Sequence, residues 1–559
     1  MHVITQNCCN DASCVPMCPV NCIHPTPDEP EYLTAEMLYI DPDTCIDCGA
    51  CIDACPVNAI TADYDLEPEQ ASFADVNARW YLDPAHKGYS PEQATPTARS
   101  FEPSLEPLRV AVVGSGPAAC YAVEHLATQR GLNVRVNVFE RLPVPGGLVR
   151  YGVAPDHQET KEISAGFMRS LRRSNVALHL NVEVGRDVSH EELARYHHAV
   201  IYAVGTPESR PLGVSGEDLP GSHSASEFVA WYNGHPEYAD RTFDFSGERA
   251  VVVGNGNVAL DVARILTADV SALARTDIAL HALAQLAESR IREVVVLGRR
   301  GPAQASFTIA ELTGLRELPG VKLVVDEDEA SLDDVTAQAY EARRDSMDLL
   351  KVQLLHDLAG TPAGSERRIV LRFLKSPVEV LGSTQVTGVR VVRNSLVNDA
   401  GTIKARSTGD EFTIGCGLVL RSVGYQGRAV PGVPFDRGSG TVPNHHGRVV
   451  EADLEMPSPH LGVYVVGWAK RGPSGVIGTN KVCARETVDA LLDDFVGGLL
   501  TPPGDKPKAL HDLLSTTGAI DAAGWRAIDE HEKELGRALS SPRVKLVSVA
   551  EMLAIARQA

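Results

Sequence analysis

Residues 45–60 read CIDCGACIDACPVNAI, with thiols at Cys45, Cys48, Cys51 and Cys55 and a proline at Pro56. This spacing constrains the chain more than any other stretch. Three thiolates placed so on one tight loop grip three irons of one cubane, and the fourth sulfur reaches a second cluster. Nine of the 12 cysteines lie in the first 55 residues. No basic-then-apolar leader opens the chain, so the expectation is a cytoplasmic protein with cluster ligands rather than a disulfide framework.

The second cluster needs its own ligands, and an internal repeat supplies them. Sliding the sequence by 37 residues lays CCNDASCVPMCPVNCI, residues 8–23, on the run above. Cys8 then meets Cys45, Asp11 meets Cys48, Cys14 meets Cys51, and Cys18-Pro19 meets Cys55-Pro56. Cys9 and Cys22 fall opposite Ile46 and Ala59, and neither is expected as a primary ligand. Two such halves predict an α+β, pseudo-twofold, two-cluster module over residues 1–65. One cluster takes Cys45, Cys48, Cys51 and Cys18. The other takes Cys8, Cys14 and Cys55, with Asp11 in the fourth place. A carboxylate is a harder and weaker ligand for this iron than a thiolate. The expectation is therefore one [4Fe-4S] cluster and one [3Fe-4S] or labile [4Fe-4S] cluster. The pattern resembles the seven-iron bacterial ferredoxins. It departs from them in a shorter first gap, which keeps Cys9 as an alternative to Cys8 that the repeat disfavours.

Charge is distributed unevenly. Of the net −21, residues 1–107 carry −15, and the first 66 residues contain no Lys or Arg. That excludes nucleic-acid binding at this end and suits an electron carrier that docks on basic surfaces. Residues 66–107 are rich in Pro, Glu, Ala and Ser without sustained periodicity, and predict a semi-rigid tether that Trp80-Tyr81 anchors on a surface. No apolar run is long enough for a membrane span.

From Leu108 the pattern changes to α/β. A β-branched strand runs into Gly114-Ser115-Gly116-Pro117-Ala118-Ala119 and then a periodic helix. Gly114 permits the tight turn, and Gly116 lets the backbone approach a pyrophosphate at the helix start. Glu140 ends the next strand, placed to accept ribose hydroxyls. A second such turn, Gly254-Asn255-Gly256-Asn257-Val258, follows the strand after Arg249. Its partner strand ends in Arg299-Arg300, two cations suited to a 2′-phosphate, so this site predicts NADP over NAD. Glu311 lies just beyond, a candidate for a ribose or nicotinamide contact that the sequence alone does not establish. A third Gly-rich turn lies at residues 467–477. Two dinucleotide folds on one chain divide labour: one holds a flavin, the other delivers hydride to it.

These residues carry a resemblance. VVGSGPAA, PGGLVRYGVAPDH, NVEVGRDV, GNGNVALDVARIL, GRRGPAQASFTIAEL, SVGY and GWAKRGPSGVIGT occur in the order seen in the adrenodoxin-reductase type of ferredoxin–NADP reductase. The whole chain resembles actinobacterial fusions of a seven-iron-type ferredoxin to that reductase. The resemblance implies FAD at Gly114, Gly116, Ala118, Glu140, Leu148, Val184, Trp468, Gly475, Val476 and Ile477. It implies NADP(H) at Asn255, Gly256, Asn257, Val258, Arg299, Arg300 and Glu311, with Gly475 near the nicotinamide, and an active-site role for His157. The expected layout is a FAD domain in two segments, 108–207 and 426–500, around an NADP domain, 208–425. Residues 501–559 form a helical extension on the reductase surface. The expected partners are NADPH and an external acceptor protein, a cytochrome P450 or another ferredoxin-dependent enzyme. The acidic module is expected to dock near Arg150, Lys470 and Arg471. The alternatives are an electron-input subunit of the glutamate synthase type and a non-catalytic redox or iron sensor.

Overall fold

The structure, a computed structural model, describes the whole chain except residues 87–88, 90–98, 100, 102–105, 342–345, 360–366, 452–457 and 559. In the N-terminal module His2–Ile4 pairs antiparallel with Ile60–Ala62, and Ile23–His24 pairs antiparallel with Tyr39–Ile40. The backbone repeats at the interval read from the sequence. The left-handed residues Asn10, Ala12 and Asn21 (φ 57°, 58°, 49°) recur 37 positions later as Asp47, Gly49 and Asn58 (φ 57°, 73°, 50°). Short polar side chains or glycine tolerate this conformation best, which is why Asn and Asp hold four of the six places.

The module extends past its expected end. Ser72–Trp80 is a helix that lays Phe73, Val76, Asn77 and Trp80 on the two small sheets. Asn77 Nδ2 donates to Ile4 O at 2.8 Å, and its Oδ1 accepts from Ile4 N and Ile40 N, clamping both sheets. Trp80 stacks on Tyr39 at 5.1 Å, and Tyr81 Oη donates to Tyr39 O. The expected tether from residue 66 is corrected here, since residues 72–81 belong to the module's core. The helical stripe escaped a hydrophobicity reading because its central member is an asparagine. Much of the remaining tether, residues 82–107, lies outside the described residues.

The reductase holds two large sheets. Leu108–Val113, Val134–Glu140, Val176–Leu180 and Ala199–Tyr202 form the parallel heart of a seven-stranded sheet, joined on the Ala199–Tyr202 side by Pro459–Val465. A six-stranded parallel sheet is centred on Arg249–Val253 and Glu293–Leu297. A three-stranded antiparallel ribbon, Lys375–Gly382, Val386–Asp399 and Thr402–Gly415, packs beside it. The chain's two crossings between the large sheets lie side by side, as Glu208–Ser209 paired with Tyr425–Gln426.

Residues 507–556 contain three helices, Pro507–Leu514, Ala522–Ala538 and Val549–Ala556. They do more than cover a surface. Glu532, fully buried, takes Arg150 at 2.5 Å, and Lys545 reaches Asp277 at 2.9 Å and Asn233 at 3.0 Å. Arg150 is therefore corrected as a docking residue: it is 8% exposed and neutralised from within the chain. Lys470 is paired with Glu486 at 2.5 Å, and Arg471 donates to Ser474 O and Asn480 Oδ1. The N-terminal module docks on other cations, as described below.

Candidate functional site

The sheet around Leu108–Val113 ends in a cradle built from backbone. At Gly114 (φ 106°) a Cβ would lie 2.4 Å from Ala203 O, and at Gly147 (φ 51°) a Cβ would lie 2.8 Å from Gly116 Cα. The two glycine loops thus meet backbone to backbone, which leaves N–H groups at the start of helix Pro117–Ala127 open to an anion. Glu140 Oε2 accepts from Ser115 N and Oγ at 3.1 and 2.6 Å, which fixes its carboxylate at the rim. Val184 bridges to Val188 beyond this strand, Ala118 touches the position of Gly467, and Leu148 is half-exposed beside Gly147. Trp468 Nε1 donates to Ser474 O at 3.0 Å, and its ring lies 5.7 Å from Tyr425. Gly475 (φ 76°), Val476 and Ile477 precede the helix Thr479–Val496, whose Thr479 Oγ1 accepts from Val476 N. The helix starts four residues after Gly475, not at it. This donor set, glycine-lined and bordered by apolar side chains, fits a flavin dinucleotide.

The second turn is built alike. A Cβ on Gly254 (φ 116°) would lie 2.0 Å from Ser422 O, and Gly256 caps helix Asn257–Thr267, which begins with Asn257 and Val258. Asn257 Oδ1 accepts from Thr308 N at 2.8 Å, so the segment carrying Glu311 packs over the turn. Asn255 packs against Gly298, next to Arg299. Arg299 is exposed and Arg300 half-buried. Partial burial and the Arg299 charge lower the Arg300 pKa. Two adjacent, mutually repelling guanidinium groups fit a phosphate dianion.

Between the two turns lies a buried charged knot. Arg264 donates to Asp156 Oδ2 at 2.5 Å and to Asp261 Oδ1 at 2.6 Å, and lies 3.3 Å from Glu311 Oε2. His157 Nε2 faces Arg264 Nη2 at 2.5 Å, Asp261 at 3.4 Å and Glu311 at 3.6 Å. Burial and Arg264 oppose charge on His157, but Glu311 and Asp261 outweigh them and raise its pKa to about 10. Burial likewise opposes charge on Glu311, yet His157 and Arg264 hold it at about 2. Protonated, Nε2 donates to a carboxylate, and bare, it accepts from Arg264, so the same nitrogen has a partner in either state. Sequence reading missed Arg264, Asp156 and Asp261. The i, i+3 spacing of Asp261 and Arg264 was the available signal.

The N-terminal module holds two cysteine-lined cavities. Cys18, Cys45, Cys48 and Cys51 line one, together with Cys22. Cys8, Asp11, Cys14 and Cys55 line the other, together with Cys9. None of these nine cysteines is in a disulfide, and burial pushes Cys8 up to about 11 and Cys14 well above the usual thiol range. Five sulfurs and no carboxylate line the first cavity, which fits a cubane; four sulfurs and the Asp11 carboxylate line the second.

The second cavity faces the reductase. Gly478 N donates to Cys9 O at 2.7 Å, directly after the Gly475–Ile477 turn. Tyr32 Oη donates to Asn10 O. Lys481 Nζ donates to Asp11 O at 2.9 Å, Arg485 pairs with Asp28 at 2.8 Å, and Lys351 with Glu36 at 3.4 Å. These three cations, on helices Thr479–Val496 and Met347–Leu358, replace the expected docking patch.

Comparisons with known proteins agree with this arrangement. A 4Fe-4S binding domain model matches residues 38–61, and a pyridine nucleotide-disulphide oxidoreductase model matches residues 108–297. A probable ferredoxin/ferredoxin–NADP reductase of Mycobacterium tuberculosis is 48% identical over all of this chain and 95% of its own length. The mitochondrial NADPH:adrenodoxin oxidoreductase of Salvelinus fontinalis is 41% identical over 80% of this chain and 91% of its own. The solved structure of Mycobacterium tuberculosis FprA in complex with NADPH superposes with a TM-score of 0.75 at 44% identity, covering 81% of this chain and all of that one. No helix among the described residues is long and apolar enough to cross a membrane. With the cysteine module, the two glycine turns and a full-length match in hand, the chain belongs to the ferredoxin/ferredoxin–NADP reductase family.

Proposed function

We propose that electrons from NADPH leave through the N-terminal module in a set order, the Cys8/Cys14/Cys55 cavity first and the Cys18/Cys45/Cys48/Cys51 cavity second, and pass to an external acceptor protein. Bound FAD supplies the conversion of a hydride into two single electrons, and iron–sulfur clusters accept them singly. The chain's residues do the rest. Arg299 and Arg300 grip the 2′-phosphate of NADPH, and Asn255 to Val258 seat its pyrophosphate. Gly114, Gly116 and Ala118 seat the flavin pyrophosphate, Glu140 orients its ribose, and Leu148, Val184, Trp468 and Gly475 to Ile477 exclude water. His157, with Glu311 and Arg264, holds a proton beside the nicotinamide. The module is read as a pseudo-twofold, two-cluster ferredoxin, with one [4Fe-4S] cluster and one [3Fe-4S] or labile [4Fe-4S] cluster beside Asp11. The recurrence of left-handed residues at 37 positions supports Cys8, rather than Cys9, as the counterpart of Cys45. FAD and NADP domains divide at the paired crossings near residues 208 and 425.

The observation that carries the order is the Gly478–Cys9 hydrogen bond, one residue beyond the flavin turn. At the other end Cys48 is exposed, beside Ile46 (59% exposed) and Ile52 (38%). Asp43 and Asp53 flank this patch, which suits an acceptor with an apolar centre and a basic rim. Gly478→Ala tests the order. Its φ of −69° tolerates alanine, but the new Cβ would lie 1.7 Å from Asn10 O. NADPH-driven reduction of ferricyanide, taken from the flavin, should persist, while reduction of cytochrome c through the module should fall at least about tenfold. Equal retention of both activities would reject the order.

A further inference from the structure

Asp11 stands where the repeat places a fourth cluster ligand, yet its carboxylate is engaged elsewhere. Tyr121 Oη donates to Asp11 Oδ2 at 2.8 Å, and Lys481 Nζ lies 3.6 Å from the same oxygen. Ser13 Oγ donates to Oδ1. Asp11 is 7% exposed and Tyr121 3% exposed, so neither contact is a passing surface encounter. Tyr121 is itself held edge-on by Phe167 at 5.1 Å. The two donors come from the reductase: Tyr121 from helix Pro117–Ala127, which starts at the first glycine turn, and Lys481 from the first turn of Thr479–Val496.

We infer that docking on the reductase withholds the Asp11 carboxylate from the neighbouring cavity, so that Tyr121 and Lys481 act as positioning residues that keep the cluster there in its three-iron form. The inference rests on the proposed ligand set and adds what chooses between its two cluster forms. In the docked chain both carboxylate oxygens already accept a hydrogen bond, Oδ1 from Ser13 and Oδ2 from Tyr121, with the Lys481 ammonium beside Oδ2, so an incoming iron has to displace these contacts. Freed of Tyr121 and Lys481, Asp11 can turn to the open corner. Conversion then takes one electron from an added dithiol, reducing the three-iron cluster, and one ferrous ion. One Fe–O bond to Asp11 forms as the Tyr121 hydrogen bond breaks.

The test uses the full chain with flavin and clusters bound. Wild type, Lys481→Met and Tyr121→Phe/Lys481→Met are incubated anaerobically with ferrous iron and dithiothreitol, desalted, reoxidised mildly and examined by low-temperature EPR. Flavin absorbance reports that each is folded. The inference expects wild type to keep its three-iron signal, Lys481→Met to lose part of it, and the double variant to lose most of it. Lys481, 40% exposed, is a mild substitution that serves should the double variant not fold. Equal retention of the signal in all three overturns the inference while leaving the three-iron reading intact. A wild type with only four-iron signals as isolated overturns both. Complete conversion of wild type by iron shows that Asp11 is not withheld, and overturns the inference alone.

Discussion

Under the proposed ligand set, the carboxylate at position 11 decides the iron content of the chain. Asp11→Cys places a thiol in the fourth position and should raise iron from about seven to about eight per chain, with loss of the three-iron EPR signal. Persistence of that signal would reject the ligand assignment. The proposed function gives the proton to His157. An imidazole normally titrates near 6.5, and the carboxylates of Glu311 and Asp261 raise that of His157 to about 10. Because the folded value is raised, its contribution to stability is complete below pH about 6.5 and is lost as pH rises through about 10. Glu311→Gln removes the largest raising charge, so the loss should move to lower pH. Thermal melting of both proteins from pH 6 to 10 checks this, and superimposable pH profiles would contradict it. The cysteines that line the two cavities and the glycines of the two turns were legible in the sequence because cluster spacing and dinucleotide turns are local. Arg264, Tyr121 and Lys481 were not, because their roles depend on which helices the fold brings face to face.

At the scale of elements, the paired glycine turns and their strands stand where hydrophobic pattern placed them. Two elements behave otherwise. Helix Ser72–Trp80 was hidden by Asn77, whose amide satisfies backbone groups of two sheets that no linear pattern links. The C-terminal helices were visible, but were expected only to lie on the reductase surface. In fact Glu532 accepts from Arg150, Arg543 and Leu546 N in a site closed to water. Breaking such a pair leaves a buried charge uncompensated and costs about 3–5 kcal/mol. Glu532→Ala should therefore lower the melting temperature of the flavin-bound chain by several degrees. A melt unchanged by this substitution would mean that the extension is not part of the reductase core.

Over the whole molecule, an acidic carrier is fused to the enzyme that feeds it, and the docking contacts are already made within one chain. Internal transfer should then be nearly insensitive to ionic strength, whereas delivery to an outside acceptor should weaken with salt, because the exit patch around Cys48 relies on exposed acids. Asp43→Lys/Asp53→Lys should raise KM for a basic acceptor such as cytochrome c without changing ferricyanide reduction. The central claim is that the cavity beside Gly478 receives electrons first, from the flavin of the same chain. Rapid-freeze EPR after anaerobic mixing with NADPH tests it most directly. The account predicts that the oxidised three-iron signal disappears before any reduced four-iron signal grows, at a rate independent of protein concentration. A three-iron signal that outlasts flavin reduction, or a rate proportional to protein concentration, would contradict it.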